Sequence, residues 1–179
     1  MANATSDKAS AGDKASAGDK PSAGKLKLKA VDAEDLGVLS AFLQDSLVAV
    51  GDISYQPADK RFLLVANRFR WEAMPCEEES ELGDGDCFER IHSGLRFENV
   101  TAVKSRGLDA LDAAQLLELL DIEAEATAGQ YGAFTLIFAG DVAIRVEIAT
   151  PLCFLEDIGE PWPTKWRPKH PLEAPGDPR

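Results

Sequence analysis

A chain of 179 residues, 45% apolar and 28% charged, is long enough for one domain with a hydrophobic core and attached tails. The net charge of -12 is uneven: residues 1–30 hold six lysines against three aspartates, a local +3, which leaves -15 on residues 31–179. A body that acidic repels phosphate at long range and disfavours nucleic acid as a partner unless a local basic patch works against the field. The longest apolar runs, "FLLVA" and "AFTLIFA", are too short to cross a bilayer, and "MANATSDKAS" lacks the apolar stretch of an export signal. No membrane partner is therefore expected, and the location is read as cytoplasmic.

Residues 7–24 repeat DKASAG, DKASAG, DKPSAG. So little apolar surface cannot offset ordering entropy, which predicts a disordered leader over 1–24 ahead of one domain over 25–160. "KLKLKA" alternates Leu26 and Leu28 with lysines, the pattern of a short edge strand. Asp32 stands as a helix N-cap with Glu34 and Asp35 in the first turn. Leu36, Leu39, Leu43 and Leu47 then follow at helical spacing, which predicts one long helix over about 35–48.

From Ile53 the period changes from 3.6 to two. "QPAD" supplies a turn, and a long strand is predicted from Arg61 to Glu72. Alternation puts Leu63, Val65, Asn67, Phe69 and Trp71 on one face, read as the core, and Leu64, Ala66, Arg68, Arg70 and Glu72 on the other. The aromatics and arginines of "NRFRWE" are thereby separated and cannot clamp one nucleotide together. "CEEESELGDGDC" reads as an exposed loop whose oxygen spacing fits no calcium loop. Strands return at Phe88 and Ile91 and through "GLRFENVTAVKSRG", where Gly107 is expected at positive φ.

"DAAQLLELL" reads as a short helix capped by Asp109 or Asp112, passing into a strand at "LDIEAEA". The last hairpin, "AFTLIFAGDVAIRVEI", turns at Gly140–Asp141. A two-residue loop there pairs Ala139 with Val142, Ile137 with Ile144 and Thr135 with Val146. Its other face, with Phe134, Leu136 and Phe138, then needs a cover, for which the helix or the tail is the natural choice. Residues 161–179 are Pro-rich and predicted to be an extended tail, with Trp162 and Trp166 docking on the domain. The fold class expected from these elements is α+β: a mostly antiparallel curved sheet, two packed sheets or a split barrel, with one long N-terminal helix.

Taken in order, "LKAVDAEDLGVLSAFLQDSL", "RFLLVANRFRWE", "VKSRGLD", "FAGDVAIRVE" and "LEDIGEPWPTKWRPKH" resemble a small bacterial family, domain of unknown function 2948, over roughly residues 26–170. The resemblance implies a single compact domain. It carries over no catalytic residue, cofactor or partner, and it does not extend to the hexapeptide leader or the glutamate-rich insert at 77–86.

Chemistry is sparse. Cys76, Cys87 and Cys153 are odd in number and unrelated in spacing, which fits free thiols, and with His92 they form no compact pair for zinc. No nucleophile elbow, phosphate loop or dinucleotide fingerprint is present, and no metal or cofactor is expected. The binding residues singled out are Arg68 and Arg70 on one strand with Lys104 and Arg106 on another, a basic patch if they converge. The expectation is a non-catalytic protein-interaction or anion-binding module with a protein partner. The alternatives are RNA or DNA binding through that patch, and a small hydrolase or transferase using His92 or His170.

Overall fold

The computed structural model describes residues 24–73, 88–127 and 130–168. The hexapeptide leader, the acidic insert with Cys76 and Cys87, and His170 lie outside the described residues. The elements are β1 (Lys27–Ala30), α1 (Ala33–Leu43), β2 (Ser46–Gln56), β3 (Arg61–Phe69), β4 (Phe88–Phe97), β5 (Val100–Arg106), β6 (Leu116–Thr127), β7 (Gln130–Phe138), β8 (Val142–Ile148) and β9 (Cys153–Thr164).

The α+β expectation with one long helix is overturned: the described residues form one nine-stranded antiparallel sheet and a single short helix. The helix begins as its sequence predicts. Asp32 caps it by accepting from the Asp35 N–H (2.9 Å), and Asp35 reaches back to the Val31 N–H (3.1 Å). It buries Leu36, Leu39 and Leu43. It then stops, because Asp45 takes φ +59 and the valine-rich "SLVAV" that follows alternates as a strand, with Ser46 and Val48 inward. Leu47 satisfied the helical period only by coincidence; it pairs with Asn67 of β3 and Glu118 of β6.

The strand order is β1-β9-β4-β3-β2-β6-β7-β8-β5. Two three-stranded meanders, β2–β3–β4 and β6–β7–β8, meet at the β2–β6 pair. Each passes its next strand to the other: β5 follows β4 but pairs with β8, and β9 follows β8 but pairs with β4. A flat sheet would hold β4 and β7 about 19 Å apart, four strand spacings. Yet the Phe97 and Phe134 rings lie 5.4 Å apart, so the sheet curls until its halves face each other, with α1 packed against β1, β3 and β6. One bend sits in β2, where pairing with β3 breaks between Val48 and Ile53. There the Val50 and Gly51 N–H groups donate to the Gln115 and Ala113 carbonyls. Gly51 suits this close approach, since a Cβ would stand 3.1 Å from the Ala113 oxygen and the neighbouring backbone would have to give by a few tenths of an ångström.

Three local expectations are corrected. In the last hairpin Phe138 pairs with Val142, Leu136 with Ile144 and Phe134 with Val146. The loop thus has three residues, with Gly140 at φ +78 and Asp141 at φ +62. That one-residue slip turns Phe134, Leu136 and Phe138 inward together with Val142, Ile144 and Val146, so no separate cover is needed. "DAAQLLELL" forms turns and then the start of β6 rather than a helix. In β3 the buried file is Phe62, Leu64, Ala66 and Arg68, the face expected outside. Gly107 has the expected positive φ, +75.

The sheet edge on the β9 side is guarded. β1 covers β9 only from Cys153 to Glu156. Beyond it Pro161 and Pro163 have no N–H to offer an incoming strand.

Candidate functional site

Among the described residues Arg68 is the largest fully buried side chain, with 0% of its surface exposed. Alternation along β3 turns it into the interior beside Ser93 of β4 and Asp157 of β9. Its Nε donates to Asp157 Oδ1 (2.8 Å) and Ser93 Oγ (3.1 Å), and its Nη2 donates to Asp157 Oδ2 (2.7 Å). The outer edge of the guanidinium faces Glu72, at 2.8 Å from Nη2 to Oε1 and 3.1 Å from Nη1 to Oε2. Ser93 donates to Asp157 Oδ1 (2.5 Å), and Asp157 Oδ2 also accepts the Leu26 N–H (2.8 Å). The Phe42 ring of α1 lies 5.8 Å from the guanidinium carbon. One cation therefore ties β3, β4, β9, the residue before β1 and the helix together through two bidentate carboxylates.

Burial works against ionising Asp157 and Glu72. Bonds from Arg68 outweigh it, helped at Asp157 by Ser93 and the Leu26 N–H, and both carboxyls are held below the usual carboxylate range. A carboxyl with a depressed folded pKa contributes stability that is complete above its unfolded value, near pH 4, and is lost as pH falls through the folded value. Urea titrations should thus give a nearly constant unfolding free energy between pH 7 and 5 and a decline below about pH 4. Asp157→Asn should flatten that decline, and an equally steep decline in the variant would show that Asp157 is not part of it.

The four basic residues expected to form a patch are not brought together. Arg70 is 4% exposed and pairs with Glu89. Lys104 and Arg106 are exposed on β5, the opposite edge strand from β1, and pair with Glu147 (2.6 Å) and Asp141 (2.8 Å) of the β8 segment. Trp162 lies within β9 with its ring 4.6 Å from that of His92, whereas Trp166 is 83% exposed. His92 is exposed on β4. Cys153 is buried and its thiol pKa is pushed up by burial, which makes it inert packing. Among the described residues no three His, Cys, Asp or Glu side chains are grouped to hold a metal ion.

The reversal of β3 has a second result: Leu63 and Val65 face outward. With Gly94 and Arg96 of β4 and Phe154 and Ile158 of β9 they line an open groove of about 690 Å³. The floor is aliphatic, and Ile158 is 49% exposed. Gly94 keeps it open, since a Cβ there would come within 3.2 Å of Ile158 Cδ1. Arg96 is laid along the Phe154 ring at 4.6 Å and faces Glu98 at 2.9 Å. Asp52 and Glu156 add carboxylates to the lining. The groove presents apolar area flanked by charges.

Sequence reasoning missed Asp157, Ser93, Glu72 and the groove. One signal was present: in "PLCFLEDIGE" Asp157 shares the alternating file of Cys153 and Leu155, and an acid in a buried file demands a cation.

The family description "Protein of unknown function (DUF2948)" matches residues 26–170, a span that contains every strand and the helix. The chain belongs to this family. The DUF2948 domain thus includes the Arg68 network and the groove. Comparison with curated proteins and with solved structures returns no match. Among the described residues no helix of this DUF2948 chain is long and apolar enough to cross a membrane.

Proposed function

We propose that this protein is a non-catalytic interaction module of the cytoplasm, and that its groove over β2, β3, β4 and β9 takes an extended segment of a partner protein carrying apolar side chains and lysine or arginine. The groove carries the reading. Leu63, Val65, Phe154 and Ile158 offer apolar area at the surface, and the carboxylate of Asp52 favours a cation, Glu156 being paired with Lys27 at 3.2 Å. Anion binding at a basic patch lacks this support, because Arg68 and Arg70 are buried against carboxylates and Lys104 and Arg106 are each paired. Nucleic acid meets the same obstacle, together with the net charge of -12.

The variant Asp52→Lys/Ile158→Arg alters two surface positions, reverses one charge and interrupts the floor. Affinity capture from native extract with wild-type and variant chains should yield proteins retained by the first and lost from the second, while both chains melt alike. Identical captured sets would remove the groove as the interaction surface.

A further inference from the structure

We propose that the groove also receives the Lys165–Trp166–Arg167 segment of a second copy of this chain, so that the protein self-associates by exchanging C-terminal arms. This rests on the reading of the groove as a peptide-binding surface and names one occupant for it.

Trp166 is the most exposed large apolar side chain among the described residues. A tryptophan carries the largest apolar surface of any residue and is the residue type most enriched where interfaces draw their affinity. It stands two residues past the end of β9, between Lys165 and Arg167 and after two prolines. The Trp166 N–H donates to Thr164 Oγ1 (3.2 Å), so the arm is already ordered where it leaves β9, which lowers the ordering cost of docking.

The arm and the groove are complementary. The aliphatic floor matches the indole, the Asp52 carboxylate matches the Arg167 guanidinium, and a volume of about 690 Å³ exceeds what one indole needs. The middle of its own groove, at Val65 and Gly94, is out of reach of this Trp166. Thr164 pairs with Phe88, six residues and about 20 Å along β4 from Gly94 of the groove, while two residues beyond Thr164 span only about 7 Å. The Arg167 guanidinium is moreover 5.9 Å from Phe88, at the end of β4 remote from Arg96. The arm therefore projects away from its own groove and toward another molecule's. Two copies related by a two-fold axis would each donate an arm and each receive one, a closed isologous arrangement.

Sedimentation velocity on the full chain over roughly 1–200 µM, the range in which a small exchanged segment binds, should show a monomer–dimer equilibrium. Trp166→Ser and Ile158→Arg should each be monomeric throughout while keeping wild-type circular dichroism and melting temperature, both sites being surface positions. An equimolar mixture of the two variants should regain a dimer, because one copy still has its groove and the other its arm. A peptide of residues 163–168 added in excess should dissociate the wild-type dimer. A wild-type chain monomeric at all concentrations, or a dimer that survives Trp166→Ser, overturns the proposal. If the chain stays monomeric while the peptide binds it and Ile158→Arg abolishes that binding, arm exchange falls and the groove remains a site for other proteins.

Discussion

Replacing Arg68 with alanine is expected to destabilise the protein by about 3–5 kcal/mol, because it leaves Asp157 buried and charged without its bidentate partner. That is a large part of the roughly 5–15 kcal/mol that holds a typical domain folded. Asp157→Ala should cost a similar amount for the converse reason. The two should be strongly non-additive: Arg68→Met combined with Asp157→Leu removes both charges, fills the space with apolar atoms and should be markedly more stable than the sum of the single alanine losses implies. Glu72 tolerates the double change, since it is partly exposed and lies 3.7 Å from Arg70. Urea denaturation of wild type, both singles and the double gives the coupling directly. A loss below about 1 kcal/mol for Arg68→Ala, typical of a surface pair, would mean that water reaches the cluster.

A second large effect separates neighbouring positions of β3. Leu64→Asp should unfold the chain at room temperature, since an unpaired charge in the Phe62–Ala66 file costs several kcal/mol or more. Val65→Asp adds its carboxylate to the wall of an open groove and should cost only about 1 kcal/mol, the scale of a strand substitution at a half-exposed site. Circular dichroism at neutral pH distinguishes the two. The opposite ranking would restore the register in which Leu63, Val65 and Asn67 face the core.

That pair of variants also marks where the sequence was legible. The edge strand, the Asp32 cap, the turn at 57–60 and the left-handed Gly107 each depend on neighbours in the chain, and residue type alone points to them. The face of β3 does not. Leu63 and Val65 are as apolar as Leu64 and Ala66, because the strand has a core on one side and a groove on the other, so period-two alternation leaves both registers open. Convention placed the arginines outside. Asp157, 89 residues further on, decides the matter by supplying the carboxylate that lets Arg68 turn inward. The β7–β8 hairpin slipped for a related reason: a two-residue Gly–Asp turn is the commoner solution, but only the three-residue loop brings Phe134, Leu136 and Phe138 to the same side as the β8 valines and isoleucines. Basic residues close in sequence, such as Lys104 and Arg106, read as a patch because their acidic partners, Glu147 of β8 and Asp141 of the loop before it, are invisible to local spacing.

The exchange of strands between the two meanders sets an order of events during synthesis. β4 leaves the ribosome with one edge unpaired, and its neighbour β9 is the last of the described strands to be made. Until β9 emerges Arg68 lacks Asp157, and the carboxylate that would anchor the Leu26 N–H does not yet exist. The first meander cannot complete its half until β9 has been made, so folding joins residues more than a hundred positions apart and is of the slow kind that non-local antiparallel topologies impose.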